Sequence, residues 1–314
     1  MIPFSKPTLG QEERDAVDRV LKSGWLAAGP ETDLFQKEFA DYVGVRYALF
    51  TNSGTSALKM AYKYFMEEEN RVAYKCPKNT FCATYSAAEE IGLASYDKIH
   101  NVIQDNESLV RVNVHYGGVK DIRPCEVEDS AHRIEKDDPM VGKIRIYSFY
   151  ATKNMTTGSG GMIVTNSQSI YKKLRLYWSD GLISTTMDRS VGISDYDVLC
   201  MAGGYDGNDI SASIGREQLK KLPEFTARRN EIVAEYNDWF GQLWTGNHLY
   251  PYMTSSPIEV YDLRKYLYEC GISSGHHYSG NDWLGVSLPL YPTLTQQEID
   301  RIIYAIREWR DGAD

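Results

Sequence analysis

Three short stretches hold residue types able to do chemistry together. Ser148-Phe149-Tyr150-Ala151-Thr152-Lys153 reads as a strand end followed by one lysine, and Thr157-Gly158-Ser159-Gly160-Gly161 as a glycine-rich turn into the next strand. Small residues before Lys153 and glycines after it let the backbone approach a bound group closely. A lysine so held can form a Schiff base with an aldehyde, which is how pyridoxal phosphate (PLP) is carried. Upstream, Asn52-Ser53-Gly54-Thr55-Ser56 joins a strand to a helix. The amides of Thr55 and Ser56, their hydroxyls and the helix dipole would suit a phosphate there. Glu128-Asp129-Ser130-Ala131-His132 closes another strand. Asp129 could pair with a protonated pyridine nitrogen, a buried carboxylate that stays ionised because it faces a cation.

Each part also has a plainer reading. Gly54, Thr55 and Ser56 would serve equally as a simple helix cap, Asp129 as a cap on the next segment, and Lys153 alone as a solvated loop residue. Phe81, within Pro77-Lys78-Asn79-Thr80-Phe81, would stack on a pyridine face or fill the core. Ser148 adds a donor for phosphate, and His132 could reach the ring or its phenolic oxygen. What favours the cofactor is the joint order: phosphate turn, stacking aromatic, aspartate, serine, lysine.

The elements that must position these groups follow from periodicity. Ala16, Val17, Val20 and Leu21 share a helical face, with Thr8 and Gln11 as a capping box. A second helix follows Pro30, with Leu34, Phe35, Phe39, Tyr42 and Val43 inward. Strands are expected at 47–51, 71–74, around Val110, Val112 and Val114, at 126–128, 144–149 and 162–165, with helices at 55–66 and 80–91 between them. This βαβα order predicts an α/β domain with a mostly parallel sheet. Residues 180–208, rich in Gly, Ser and Asp, read as a long functional loop. Two helices are expected next, at 209–222 and 225–240. From about Tyr250 a smaller α+β unit is expected, ending in a helix capped by Thr295 and Glu298 with Ile299, Ile302, Ile303 and Ile306 inward. The boundary between a large domain (1–225) and a small one (226–314) is placed at the start of the second of those helices.

Bulk properties exclude several classes. The 314 residues are 42% hydrophobic and 25% charged, with a net charge of −9, which argues against a general nucleic-acid-binding face. No apolar run approaches the ~20 residues of a membrane helix, and the first residues lack the apolar core of a secretory signal. Five scattered cysteines form no CxxC pair, so no disulfide framework or metal site is indicated. They read as buried small residues in a cytoplasmic protein.

Taken together, these segments resemble the DegT/DnrJ/EryC1/StrS family of sugar aminotransferases, a branch of the fold-type I PLP enzymes. The resemblance runs from Ser23-Gly24-Trp25-Leu26 and Gly29-Pro30 through the stretches above and Val114-His115-Tyr116-Gly117. It continues to Asn208-Asp209-Ile210-Ser211-Ala212 and Leu288-Pro289-Leu290-Tyr291-Pro292. It implies that Lys153 carries PLP, that Asp129 binds the pyridine nitrogen, and that Ser148 and the Gly54-Thr55 turn hold phosphate. It also implies a seven-stranded-type sheet, a homodimer with the active site at its interface, L-glutamate as donor and a keto sugar nucleotide as acceptor. The chain is shorter than is usual for the family, with losses between Asp97 and Val110, before Glu126 and after Tyr278. Its segment Gly203-Gly204-Tyr205-Asp206-Gly207-Asn208 departs from the family pattern. Asn208 is the candidate there for an asparagine that reaches the neighbouring subunit's phosphate. Trp25, His115, Tyr150 and His277 are candidates for substrate contacts. A PLP-dependent sugar dehydratase, another PLP reaction on a small amino acid, and a non-catalytic protein of this fold are the alternatives.

Overall fold

The computed structural model describes residues 1–99, 107–184, 192, 197–277 and 283–312. Two helices open the chain, α1 (Gln11–Ser23) and α2 (Pro30–Val43). There follow β1 (Tyr47–Thr51), α3 (Gly54–Glu68), β2 (Ala73–Lys75), α4 (Cys82–Glu90), β3 (Ala94–Ser95), α5 (Tyr96–Ile99) and β4 (Leu109–Val114). The central part ends with β5 (Val127–Asp129), β6 (Ile144–Ser148), β7 (Gly161–Thr165) and α6 (Gln168–Trp178). The seven strands form one sheet in the order β1-β7-β6-β5-β4-β2-β3. Only β7 runs against the others, pairing antiparallel with both β1 and β6. Its first residue, Gly161, therefore lies at the edge where β1, β4, β5 and β6 end. In a parallel sheet that carboxyl edge is where ligands gather.

Period-2 alternation sorts the sheet's side chains onto two faces. Val110, Val112, Val127, Ile144 and Ile146 bury against α3, α4 and α6 on one face. Tyr147, Met162 and Val164 face Phe35 and Phe39 of α2 on the other, where Phe35, Phe39, Phe50 and Phe149 meet in tilted and edge-on pairs. The register pairs Asp129 with Ile146 and with Val114, so Asp129 belongs to the first face. Glu128 pairs with Arg145 and belongs to the second.

A 32-residue helix, α7 (Asp209–Phe240), runs without interruption through Pro223, so the two helices expected at 209–222 and 225–240 are one. Proline removes one intrahelical donor, a loss that packing along both flanks offsets. Its Ala212, Leu219 and Leu222 join the α2 core. Its Ile232, Val233 and Tyr236 join a separate core built by β8 (Tyr250–Met253), α8 (Pro257–Glu269), β9 (Gly285–Leu288) and α9 (Gln296–Asp311). Ile2 belongs to this second core and bridges to Ile272. Thr295 and Glu298 form the expected capping box, and the four isoleucines of α9 are buried.

Other expectations need correction. The cap of α1 is Gly10, whose N–H donates to Glu13 at 2.6 Å, not Thr8 with Gln11. Leu21 and Leu34 face solvent. Of the cysteines only Cys125 is buried, Cys82 being exposed, and all five are unpaired. Within the stretch expected as a long loop, 185–191 and 193–196 lie outside the described residues, as do Tyr278 and 279–282. Tyr205 and Gly207 run beside β1, with Asn52 N–H donating to Tyr205 O and Gly207 N–H to Phe50 O. No helix among the described residues is long and apolar enough to cross a membrane.

Candidate active site

A cavity of about 420 Å³ opens at the carboxyl edge of the sheet, within the size range of small-molecule sites. Asp129, Ser148 and Lys153 line it together with Gly54, Thr55, Phe81, His132, Tyr150 and His277. Residues separated by up to 223 positions in the chain are thus gathered in one cavity. Alternation puts Val114, Asp129, Ile146 and Ser148 on the same face, and all four border the cavity.

The anion cradle is built by close approach of two turns. Ser53 caps α3, its Oγ accepting from Ser56 N–H at 3.1 Å. The first intrahelical donor is Ala57, to Ser53 O at 3.2 Å, so the amides of Gly54 and Thr55 belong to the open first turn. A Cβ at Gly161 would lie 2.6 Å from Gly54 N and Ser53 O, and one at Gly54 would lie 3.1 Å from Ser148 Cβ. Only glycine permits this packing, which sets the Ser148 hydroxyl beside the helix N-terminus. Ser56 does not share in it: its hydroxyl donates to Asn52 Oδ1 at 2.5 Å and its amide is taken by Ser53. Ser53 lines the cavity instead.

Asp129 is buried. Its Oδ2 accepts from Thr84 Oγ1 at 2.8 Å and its Oδ1 from Ala131 N–H at 3.1 Å. Burial raises its carboxyl above the ordinary range, while Thr84, Ala131 and Lys153 oppose the rise. Burial likewise pulls the Lys153 amine down to about 8 from 10.5, against the attraction of Asp129. The acid and the amine thus stand in one low-dielectric space, each incompletely compensated.

Three imidazoles also line the cavity. His132 and His248 rings lie 4.3 Å apart, and His277 packs on Phe4 at 5.1 Å with its Nδ1 2.9 Å from Ser287 Oγ. Gly117 ties the first two together, donating its N–H to His132 Nδ1 at 3.2 Å and accepting from His248 N–H at 3.0 Å. Burial holds His132 and His248 well below an ordinary histidine, with Lys153 adding to the effect, and brings His277 to about 4. All three are neutral near pH 7.

The remaining candidates sit elsewhere. His115 is fully buried on the other face of the sheet. Its Nδ1 accepts from Asp121 N–H at 3.0 Å, so the proton is on Nε2, which donates to Glu128 at 3.1 Å. Glu128 also accepts from Arg145 at 2.7 Å and from the Val141 and Gly142 amides. Burial works against its ionisation, yet these partners bring it down to about 2. Trp25 donates to Ala28 O within its own loop. Asn208 caps α7, accepting from Ser211 N–H at 2.9 Å. The next residue, Asp209, anchors the start of α2 by accepting from Gly29, Glu31 and Thr32. Arg229, on a helix where a charged side chain ordinarily meets solvent, is buried. Sequence reasoning missed Ser53, Thr84, His248 and Phe4 as site residues. Thr84 was legible in principle, one helical turn after Thr80; nothing in the sequence around His248 or Phe4 marks either one.

This sheet topology and lysine-centred cavity define a fold-type I PLP-dependent aminotransferase, and the donor set fits the cofactor. The profile of the DegT/DnrJ/EryC1/StrS aminotransferase family matches residues 7–96 and 127–278, and the chain belongs to that family. Among curated proteins it is 27% identical to the spore coat polysaccharide biosynthesis protein SpsC of Bacillus subtilis, covering 100% of this chain and 98% of that protein. That alignment spans 390 positions, so the relative carries residues this shorter chain lacks. Among solved structures, Helicobacter pylori PseC, an aminotransferase involved in the biosynthesis of pseudoaminic acid, superposes with a TM-score of 0.86 at 23% identity, covering 99% of each chain. Spr1654 of Streptococcus pneumoniae in its PMP form also scores 0.86, at 22% identity over 99% of this chain and 100% of that one.

Proposed function

We propose that this aminotransferase moves an amino group from L-glutamate to a keto sugar linked to a nucleotide, in the cytoplasm, as a homodimer whose active sites lie at the subunit interface. The observation that carries the reading is the presence of buried Lys153 and Asp129 in one cavity with a glycine-built anion cradle at its edge. The relatives' roles in polysaccharide and pseudoaminic acid biosynthesis support a sugar acceptor. Bound PLP supplies an aldehyde for the lysine and an electron sink for the carbon being deprotonated.

The chain's own residues do the rest. Gly54, Thr55 and Ser148 would hold the phosphate end, and Phe81, which borders the same cavity, would be the aromatic available to the ring. Asp129 would pair with a protonated pyridine nitrogen, and such a cation would favour its ionised form. With an amine near 8, Lys153 is deprotonated in a useful fraction at neutral pH, so it can take a proton from the donor and return it. The neutral imidazoles of His132, His248 and His277 offer hydrogen bonds without competing as acids. Tyr150, exposed at the mouth, and His277 are the described candidates for substrate contact. His115 and Trp25 are not, given where their side chains lie.

Dimerisation is supported by exposed apolar residues in the segment that leads to Tyr205 and the phosphate turn. Val198, Leu199 and Met201 are 62%, 61% and 89% exposed, a pattern that in a soluble protein marks a contact surface. Asn208, whose carbonyl oxygen caps its own helix, would have only its amide hydrogens to offer a partner's phosphate. The boundary between the two units is placed near residue 225, where α7 passes from one core to the other.

The test is spectroscopic. The PLP-loaded protein should be yellow, L-glutamate should bleach it, and a panel of 3-keto and 4-keto sugar nucleotides should restore the colour for one acceptor. Borohydride reduction should leave a pyridoxyl group on Lys153 by peptide mapping. Colour without bleaching by glutamate would point to another donor or to a binding role. No adduct at Lys153 would end the reading.

A further inference from the structure

Arg229 stands apart from the charges that the site uses. It lies in the middle of α7, 5% exposed, and among the described residues no carboxylate is within ion-pair distance. Burial alone pushes its guanidinium down to about 10. An unpaired buried charge is costly, and an arginine placed so must be held by hydrogen bonds. Its Nη1 donates to Asn154 O at 3.1 Å, the carbonyl that follows Lys153. The Asn154 side chain, itself buried, donates to Asn247 Oδ1 at 3.4 Å, and Asn247 Nδ2 donates to Glu135 at 2.9 Å. The residue after Asn247 is His248. Two groups that line the cavity, Lys153 and His248, are therefore next in sequence to members of one chain of hydrogen bonds.

We propose that Arg229, Asn154 and Asn247 form a positioning relay that fixes the reach of Lys153 and the seat of His248 together, with α7 as its rigid support. None of the three lines the cavity, so they act through their neighbours. A charged donor on a main-chain carbonyl makes a stronger bond than a neutral one. It holds the lysine turn in place while leaving the amine itself unengaged. The Lys153 amine remains desolvated only as long as that turn keeps it inside. Loosening the turn lets the amine reach water and regain its ordinary basicity.

The importance of this relay for catalysis rests on the reading of Lys153 given above, but its test does not. In the full-length, cofactor-free chain, the pH dependence of Lys153 acetylation by acetic anhydride is followed by peptide mass spectrometry for wild type, Arg229→Met, Arg229→Lys and Asn247→Ala. Arg229→Met should raise the midpoint for Lys153 by about one pH unit or more. Arg229→Lys should recover part of the shift, because one donor remains but the planar fork is lost. Asn247→Ala should move the midpoint in the same direction by less. A folded Arg229→Met protein with an unmoved midpoint overturns the relay. Where Arg229→Met does not accumulate as folded protein, Asn247→Ala, which leaves the Arg229 bond to Asn154 O in place, decides alone, and an unmoved midpoint there has the same meaning. Pyridoxyl mapping at Lys153 can fail while this titration succeeds, and the reverse, so the two readings are separable.

Discussion

Thr84 Oγ1 donates to Asp129 Oδ2 at 2.8 Å, and Thr80 Oγ1 lies 2.7 Å from Thr84 Oγ1. Because the Thr84 proton is committed to the carboxylate, Thr80 is the donor of the second bond. Two hydroxyls on the first turn of α4 and the loop before it thus stabilise the charge at the end of β5. Tyr62 OH, donating to Thr84 O at 2.7 Å, fixes the turn that carries them.

Removing the hydroxyl while keeping the shape should expose what it does. In Thr84→Val the carboxylate loses a charge-assisted bond worth about 1.5–3 kcal/mol, so its ionised form becomes harder to sustain. PLP affinity, measured by absorbance titration, should fall roughly ten- to a hundredfold with the fold intact. Unchanged affinity would mean that Ala131 N–H and the cofactor nitrogen suffice.

The cradle makes a steric prediction. A methyl at Gly161 would meet Gly54 N and Ser53 O at 2.6 Å, and neither is a movable side-chain end. Gly161→Ala should therefore push the β1–α3 turn away from Ser148. Overpacking of this kind costs about 1–3 kcal/mol, seen as a lower urea midpoint, and phosphate-dependent PLP binding should weaken with it. A control at Gly158, where a methyl meets nothing within 4 Å but φ is +80°, should lose stability without losing the cradle.

How much of this was legible beforehand depended on where the signal sits in the chain. Asp129, Ser148, Lys153 and the Gly54-Thr55 turn end strands whose alternation is visible in sequence, so their shared edge followed from the βαβ order. Ser56 and Ser53 are both serines of one cap, and which of them faces the ligand depends on backbone dihedrals that composition does not encode. His248 and Phe4 come from distant segments delivered by tertiary packing, with no local pattern to mark them. α7 was read as two helices because Pro223 is a strong local breaker, and long-range burial on both sides overrode it. The burial of Arg229 is hidden from sequence for a similar reason. Charge in a helix predicts solvent, whereas here the second core closes over that face.

Lys153 should be a burden to the cofactor-free fold. Its folded pKa, about 8, lies below the ordinary 10.5, so unfolding takes up a proton between those values. The penalty is fully present below pH 8 and disappears as pH rises through 10.5. Lys153→Met should therefore stabilise the cofactor-free protein at pH 7 by up to about 3 kcal/mol. The gain should vanish near pH 10.5, as measured by urea unfolding at the two pH values.

The histidine wall makes the opposite side of the pH curve steep. His132, His248 and His277 are neutral in the fold, the first two held well below 6.5 and the third at about 4. In the unfolded chain each takes a proton near 6.5. As pH falls below that value the unfolded state binds more protons, and stability is lost at about 1.4 kcal/mol per pH unit for each such group. Replacing His277 by Gln removes one of the three while keeping a side chain able to bond Ser287. Between pH 6 and pH 4.5 the slope of unfolding free energy against pH should drop by about that single-group amount. The bonds of Ser287 to the main chain of Gly275, at 2.7 and 2.9 Å, should keep β9 in place. A slope that does not change would show that His277 is already protonated in the fold. In that case a cation would face Lys153, and the wall could not be the neutral surface that an uncharged part of a sugar requires.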